Sequence, residues 1–327
     1  MANSADNEEE MSSARRVERE VVDWVKFIFE VLCGVLITAY YVTKEILQLF
    51  IRTKTKSLSG KHVLITGAAR GLGREICIRL AKEGCTITCI DIILAGAKET
   101  AKLCNEIKSN CAEAHLCDIT DRRKVAELVK LVKPVDVLIN NAGIVSSADI
   151  MEVSDENIER MMNVNVMAQF WTIRAFLPGM IERGEGHIVA ISSAAAFTAA
   201  ANIAPYTATK YAVTGSVFKS MMASLREEFR WYHPEIKTTT VHPFFITPPS
   251  SSVEHWEKQS RLPDVTASHV ADMTVRGIKK EKITVTVPNN LYFLLLILKA
   301  LPSAAGELWR DMFYARISSI DKKVKAV

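Results

Sequence analysis

The 327-residue sequence predicts an α/β fold: a doubly wound, seven-stranded parallel sheet with helices on both faces, preceded by an N-terminal hydrophobic helix. Three observations carry this. Short β-branched runs alternate with helix-periodic segments between Lys61 and Pro288. A glycine-rich turn, Thr66-Gly-Ala-Ala-Arg-Gly-Leu-Gly73, stands at the first strand-to-helix junction. No internal repeat or Gly/Ser linker divides the region, so it reads as one domain.

Residues 1–20 are polar, with an acidic run at Glu8-Glu9-Glu10, and read as a disordered tail. Residues 21–56 read as a hydrophobic anchoring helix and linker. Within the apolar stretch Val21 to Ile51, the longest uncharged run, Val31 to Thr43, is thirteen residues. A spanning helix wants roughly twenty. Asp23, Lys26, Glu30, Gly34, Thr38, Glu45, Gln48 and Arg52 fall close to one stripe, leaving a wide apolar face with Trp24, Phe29 and Leu36. That pattern suits a helix lying in one leaflet, with a true span as the alternative should Glu30 and Lys44 reach the two interfaces.

Residues 57–290 carry the sheet. His62–Thr66 reads as a buried strand, followed by a helix with Leu72, Ile76 and Leu80 on one line, ending at Gly84. Further strands are expected at Thr86–Asp91, Ala114–Asp118, Val135–Asn140, His187–Ser192, Thr238–His242 and Ile283–Val287. Helices are expected at Ala95–Ser109, Asp121–Val132, Glu156–Arg183, Tyr206–Phe229 and Ser268–Lys280. Strands joined mostly by helices imply right-handed crossovers and a Rossmann fold. Residues 291–327 form an apolar C-terminal extension whose run Leu291–Leu298 is too short to span a membrane.

The net charge of +4 is scattered, without the basic stripe that nucleic acid demands, so nucleic acid is excluded as a partner. The seven cysteines lack C-x-x-C spacing and read as reduced, mostly buried thiols; no His/Cys cluster has metal-ligand spacing.

In the glycine turn, Gly67, Gly71 and Gly73 allow close approach to a pyrophosphate at the helix start beside Leu72. Asp91 ends the next strand 24 residues after Gly67, where a carboxylate binds ribose hydroxyls and repels a 2′-phosphate. This favours NAD over NADP. Arg70 pulls the other way, as a cation that reaches such a phosphate. Tyr206 and Lys210 lie four apart on one helix face. An unperturbed phenol titrates near 10, and a neighbouring cation, helped by a nicotinamide's positive charge, is expected to lower that value toward the working range.

Together with Asn140-Asn141-Ala142-Gly143 and the Ser192-Ser193 pair, these residues resemble the short-chain dehydrogenase/reductase family, over about Ser59 to Pro288. The resemblance matches Asp118 to an adenine-contacting acid, Asn141 to the run lining the cofactor site, and Thr247 to a nicotinamide contact. It implies that Tyr206 exchanges the proton, Ser193 holds the substrate oxygen, Lys210 binds the nicotinamide ribose, and Asn165 holds a water linking Lys210 to solvent. One departure stands out: Phe244 replaces the usual glycine after Pro243, which puts the local loop shape in question.

The leader, the run Asn165–Pro178 and the apolar tail resemble a membrane- and lipid-droplet-associated branch of retinol and 17β-hydroxysteroid dehydrogenases. That resemblance implies a lipophilic alcohol or carbonyl substrate and a place on the endoplasmic reticulum membrane or lipid droplet, with a cytosol-facing domain. It also implies a homo-oligomer, and a mobile substrate lid at Pro248–Pro263. An NADPH-dependent carbonyl reductase and a non-catalytic lipid-surface scaffold remain as alternatives.

Overall fold

The computed structural model describes residues 22–41, 43–44, 55–198, 200–214, 220–247, 256–259, 263–289, 301–302, 304–305, 307–309 and 316–319. The chain divides into two compact units, Met1–Thr55 and Lys56–Val327.

In the first unit, helix α1 covers residues 22–41. Trp24, Phe29 and Leu36 are exposed along it, and Trp24 meets Phe27 edge to face at 5.9 Å. Among the described residues, no helix is long and apolar enough to cross a membrane.

The second unit is built on a parallel sheet whose first strand, β1 (His62–Thr66), is buried along its whole length. There follow α2 (Gly71–Lys82), β2 (Thr86–Asp91), α3 (Leu94–Ile107), β3 (Ala112–Leu116), α4 (Arg122–Leu131) and β4 (Val137–Asn140). Next come α5 (Asp155–Met162), a π-helical turn at Asn163–Met167, α6 (Ala168–Arg183), β5 (Gly186–Ile191), α7 (Ala204–Thr214), α8 (Met221–Tyr232) and β6 (Ile236–Pro243). Then come β7 (Trp256–Gln259), α9 (Ala267–Lys279), β8 (Thr284–Val287) and β9 (Arg316–Ser319). The main sheet runs β3-β2-β1-β4-β5-β6-β8, so the strand order reverses between β1 and β4 and opens a crevice at the carboxyl ends.

Alternation on the strands feeds two cores. Val63 and Ile65 face α2, α3 and α9 through Ile76, Leu80, Cys104, Val270 and Ile278. Leu64 faces the other layer, with Val125 of α4, Phe176 and Met180 of α6, and Phe229 of α8. Each fully buried Leu or Ile contributes about 1.5–3 kcal/mol, so the two layers hold the sheet as a rigid platform. Six of the seven thiols are buried in this unit, and burial pushes Cys85 and Cys104 up to about 12 and Cys117 to about 11.

Three expectations change. The helix expected over Glu156–Arg183 is widened by the π-turn at Asn163–Met167. The helix expected over Tyr206–Phe229 is two helices, because Ser220 is extended (φ −165°) and its hydroxyl caps α8 through the Ala223 N–H. Strand β3 ends at Leu116, two residues before Asp118, which instead bonds the Thr120 amide in the turn that follows. In the segment expected as a lid, Trp256–Gln259 pairs antiparallel with Arg316–Ser319 as a separate ribbon. The remainder of Pro248–Pro263, apart from Pro263, and the run Leu291–Leu298 lie outside the described residues.

Candidate active site

A cavity of about 810 Å³ opens at the crevice, within the size range of small-molecule sites. Of the residues singled out from sequence, Gly67, Arg70, Leu72, Gly73, Asp91, Asp118, Asn141, Ser193, Tyr206 and Lys210 line it. Gly71, Asn165 and Thr247 do not.

At one end the backbone sets the shape. Gly67 (φ +69°) and Gly71 (φ +58°) take left-handed conformations that favour glycine. A methyl on Gly73 would run into the Gly67 carbonyl oxygen and the Asn141 amide, so only glycine packs there. Asn141 braces the turn by donating Nδ2 to Thr66 O at 2.9 Å and Gly67 O at 3.1 Å. Arg70 stands at the N-cap of α2 without a side-chain cap, leaving the first helical N–H groups for an anion. Asp91 accepts from Ala69 N and Ile93 N, both at 2.9 Å, which fixes its carboxylate at the end of β2. Asp118 accepts from the Thr120 amide and hydroxyl, and these bonds hold its pKa below the usual carboxylate value. A glycine-shaped turn, helix N–H donors and a fixed carboxylate suit a dinucleotide.

At the other end, buried side chains set the chemistry. Ser193 follows β5 and its Oγ accepts from Ala195 N at 3.1 Å. Burial raises the Tyr206 phenol above its ordinary pKa, and a hydrogen bond with Ser193 pulls the other way. Lys210 lies 5.6 Å from the Tyr206 ring centroid and donates from Nζ to Ile191 O at 3.1 Å. Burial lowers its ammonium to about 8. A Cβ on Gly143 would come within 3.3 Å of Lys210 Nζ and 3.4 Å of Asn165 Oδ1, so this glycine leaves room for both.

Asn165 sits behind the wall, wholly buried. Its Oδ1 accepts from Ile144 N at 2.8 Å, while Nδ2 donates to Ile144 O at 2.9 Å and Thr209 Oγ1 at 3.0 Å. Its main-chain oxygen accepts from Gln169 Nε2 at 2.9 Å. Through these bonds the amide braces the backbone around Ile144 and meets Thr209 of helix α7. Thr247 is exposed and its N–H donates to Val265 O at 3.0 Å; its neighbour Ile246 lines the cavity instead.

Phe244 needs no glycine conformation. Among the described non-glycine residues only Asn110, Asn202 and Glu281 have positive φ. The Phe244 N–H donates to Val287 O at 2.8 Å, and its ring packs on Ala194 and, at 4.9 Å, on Phe245. Sequence reasoning passed over His242, whose Nδ1 lies 3.3 Å from Ser193 O and whose ring stacks on Phe197 at 4.4 Å. Burial lowers its pKa to about 4, so it stands neutral behind the serine. A histidine at the end of a buried central strand was the signal available.

Known proteins resemble this chain in sequence and in fold. The family described as short chain dehydrogenase matches residues 61–258. Epidermal retinol dehydrogenase 2 of Homo sapiens is 35% identical over 280 residues, covering 83% of this chain and 88% of its own. Estradiol 17-beta-dehydrogenase 11 of Mus musculus is 30% identical over 291 residues, covering 85% and 92%. A short-chain dehydrogenase/reductase from Burkholderia phymatum, solved in complex with NAD, shares the fold with TM-score 0.65 and 21% identity over 75% of this chain and 94% of its own.

Proposed function

The chain belongs to the short-chain dehydrogenase family, as an NAD(P)-dependent oxidoreductase acting on CH–OH groups, and from that premise we propose a membrane-attached enzyme that prefers NAD and acts on a lipophilic alcohol or its carbonyl, of the retinol or steroid kind. The observation that carries the reading is one cavity holding Tyr206, Ser193 and Lys210 beside apolar walls that include Ile144, Ile203, Phe244, Phe245 and Ile246. Those walls exclude water and favour a greasy substrate through burial of its apolar surface. The retinol and estradiol named in the two relatives are substrates of that kind.

Bound NAD supplies the hydride acceptor and a positive ring. The Tyr206 hydroxyl takes the alcohol proton or gives one to the carbonyl. Its raised pKa suits the giving direction, and Lys210 favours phenolate for the taking one. Ser193 holds the substrate oxygen beside Tyr206 as charge develops there. Asn165 keeps the Ile144 turn and helix α7 in place around them. Gly67, Gly71, Leu72 and Gly73 would cradle the pyrophosphate, Asp91 the adenosine ribose and Asp118 the adenine side. Thr247 is assigned the carboxamide contact on resemblance alone.

Asp91 supports NAD, since a fixed carboxylate repels a 2′-phosphate. Arg70, exposed at the cavity edge, supports the second reading, NADPH-dependent carbonyl reduction. Helix α1, with its uncovered aromatic and aliphatic face, would lie along one leaflet of the endoplasmic reticulum or lipid-droplet surface, and the chain would work there as a homo-oligomer.

A single assay series tests this. The full chain and a form lacking residues 1–56 are given retinoids, steroids and long-chain alcohols or their carbonyls in vesicles, with NAD(H) or NADP(H). Turnover of at least one lipophilic substrate, a higher kcat/KM with NAD, and membrane binding lost with the leader are expected. Tenfold preference for NADP would overturn the cofactor assignment, and full membrane retention by the shortened form would overturn the anchor.

A further inference from the structure

Thr209 lies inside the Tyr206-to-Lys210 segment of α7 and is fully buried. A threonine hydroxyl has one proton to give and two lone pairs to accept with. Here the proton goes to Tyr206 O at 2.7 Å, and one lone pair takes Asn165 Nδ2 at 3.0 Å. Both distances are those of well-formed hydrogen bonds.

The Asn165 amide can be oriented in only one way. Its oxygen and one N–H clasp the Ile144 peptide from both sides, at 2.8 and 2.9 Å. The second N–H is left with Thr209 as its acceptor. Ile144 lines the cavity directly after the Asn140–Gly143 run, while Tyr206 sits three residues before Thr209 and Lys210 one residue after it. One hydroxyl therefore joins the turn after β4, the π-turn and the helix bearing the reactive phenol.

We propose that Thr209 is a positioning residue: it fixes Asn165 against α7 and thereby holds the Tyr206 phenol and the Lys210 ammonium in their working poses. Thr209 lines no part of the cavity, so it acts through its neighbours and touches neither substrate nor cofactor. The proposal rests on the reading of Tyr206 as the proton-exchanging group.

The test compares Thr209→Val, which keeps the branched shape and loses the hydroxyl, with Thr209→Ser, which keeps the hydroxyl. Both are made in the full chain and assayed with all-trans-retinol and NAD. The valine variant is expected to lose about tenfold in kcat with KM for the alcohol within about twofold, the pattern of a group that acts on the transition state alone. The serine variant is expected to stay within about twofold of the parent in both constants. Hydrogen exchange gives a second readout without turnover: the Ile144 amide, held by Asn165 Oδ1, should exchange faster in the valine variant and at the parent rate in the serine variant. A valine variant with parental kcat and parental exchange at Ile144 overturns the proposal, as does a serine variant as impaired as the valine one. If the parent turns over neither all-trans-retinol nor any other substrate of the vesicle series, the functional reading fails, and exchange at Ile144 alone then decides the role of Thr209. If the valine variant does not fold, Thr209→Ala takes its place in the same comparison.

Discussion

The two ends of the cavity solve different problems by different means. At the glycine turn, the polar groups are fastened to backbone: Asp91 to Ala69 and Ile93, Asn141 to Thr66 and Gly67, Asp118 to Thr120. Its form follows from chain shape. At the Tyr206 end, the phenol and the ammonium are buried and carry shifted pKa values of opposite direction. Its function follows from the free energy of keeping those groups dry. Loss of a side-chain atom should therefore be felt as chemistry at one end, and gain of an atom as lost affinity at the other.

Tyr206→Phe removes only the hydroxyl. It should lower kcat by about 10³-fold or more with NADH affinity little changed, as turnover and fluorescence titration would read. Parental turnover would erase the distinction between the ends. Gly73→Ala adds one methyl against the Gly67 carbonyl. It should weaken NADH binding by about 10²-fold while circular dichroism shows the sheet intact, since relieving such a clash requires the turn itself to move. An unchanged Kd would mean that the turn is not built around that contact.

The effect of pH falls on stability and leaves the chemistry alone. His187, at the start of β5, is lowered to about 3 by burial and by Lys56 nearby; His242, behind Ser193, is lowered to about 4. Both folded pKa values lie below the unfolded value near 6.5, so the unfolded chain binds more protons in the interval. Their contribution is complete above pH 6.5 and is lost as pH falls, down to about 4 for His242 and about 3 for His187, together on the order of several kcal/mol of stability by the bottom of that window. Melting temperature should fall across it. His187→Gln should flatten the fall without altering kcat, because His187 is not part of the cavity wall.

Much of this was legible in the sequence because it is written locally. The glycine turn and the Tyr206–Lys210 spacing each need only one strand-helix junction or one helix turn. The wholly buried strand His62–Thr66 was equally local. What was not legible depends on atoms distant along the chain. The break before α8 comes from Ser220 finding the Ala223 amide, which a continuous apolar pattern hides. The ribbon of Trp256–Gln259 with Arg316–Ser319 joins segments nearly sixty residues apart. The direction of the Tyr206 shift depends on how much water the assembled walls exclude. The place of His242 behind Ser193 depends on how β5 and β6 lie side by side.

The buried thiols of the Rossmann unit have a practical consequence. Cys85 and Cys104 titrate at about 12, so at neutral pH each is a thiolate roughly once in 10⁵ molecules, and that fraction sits out of reach of any reagent. Cys33, half-buried on α1, has no such shelter. An alkylating reagent added to the native protein should therefore label one site quickly and then wait on the opening of the sheet. The slow phase is a clock for the breathing of β1, β2 and their helices, running in the unmodified chain.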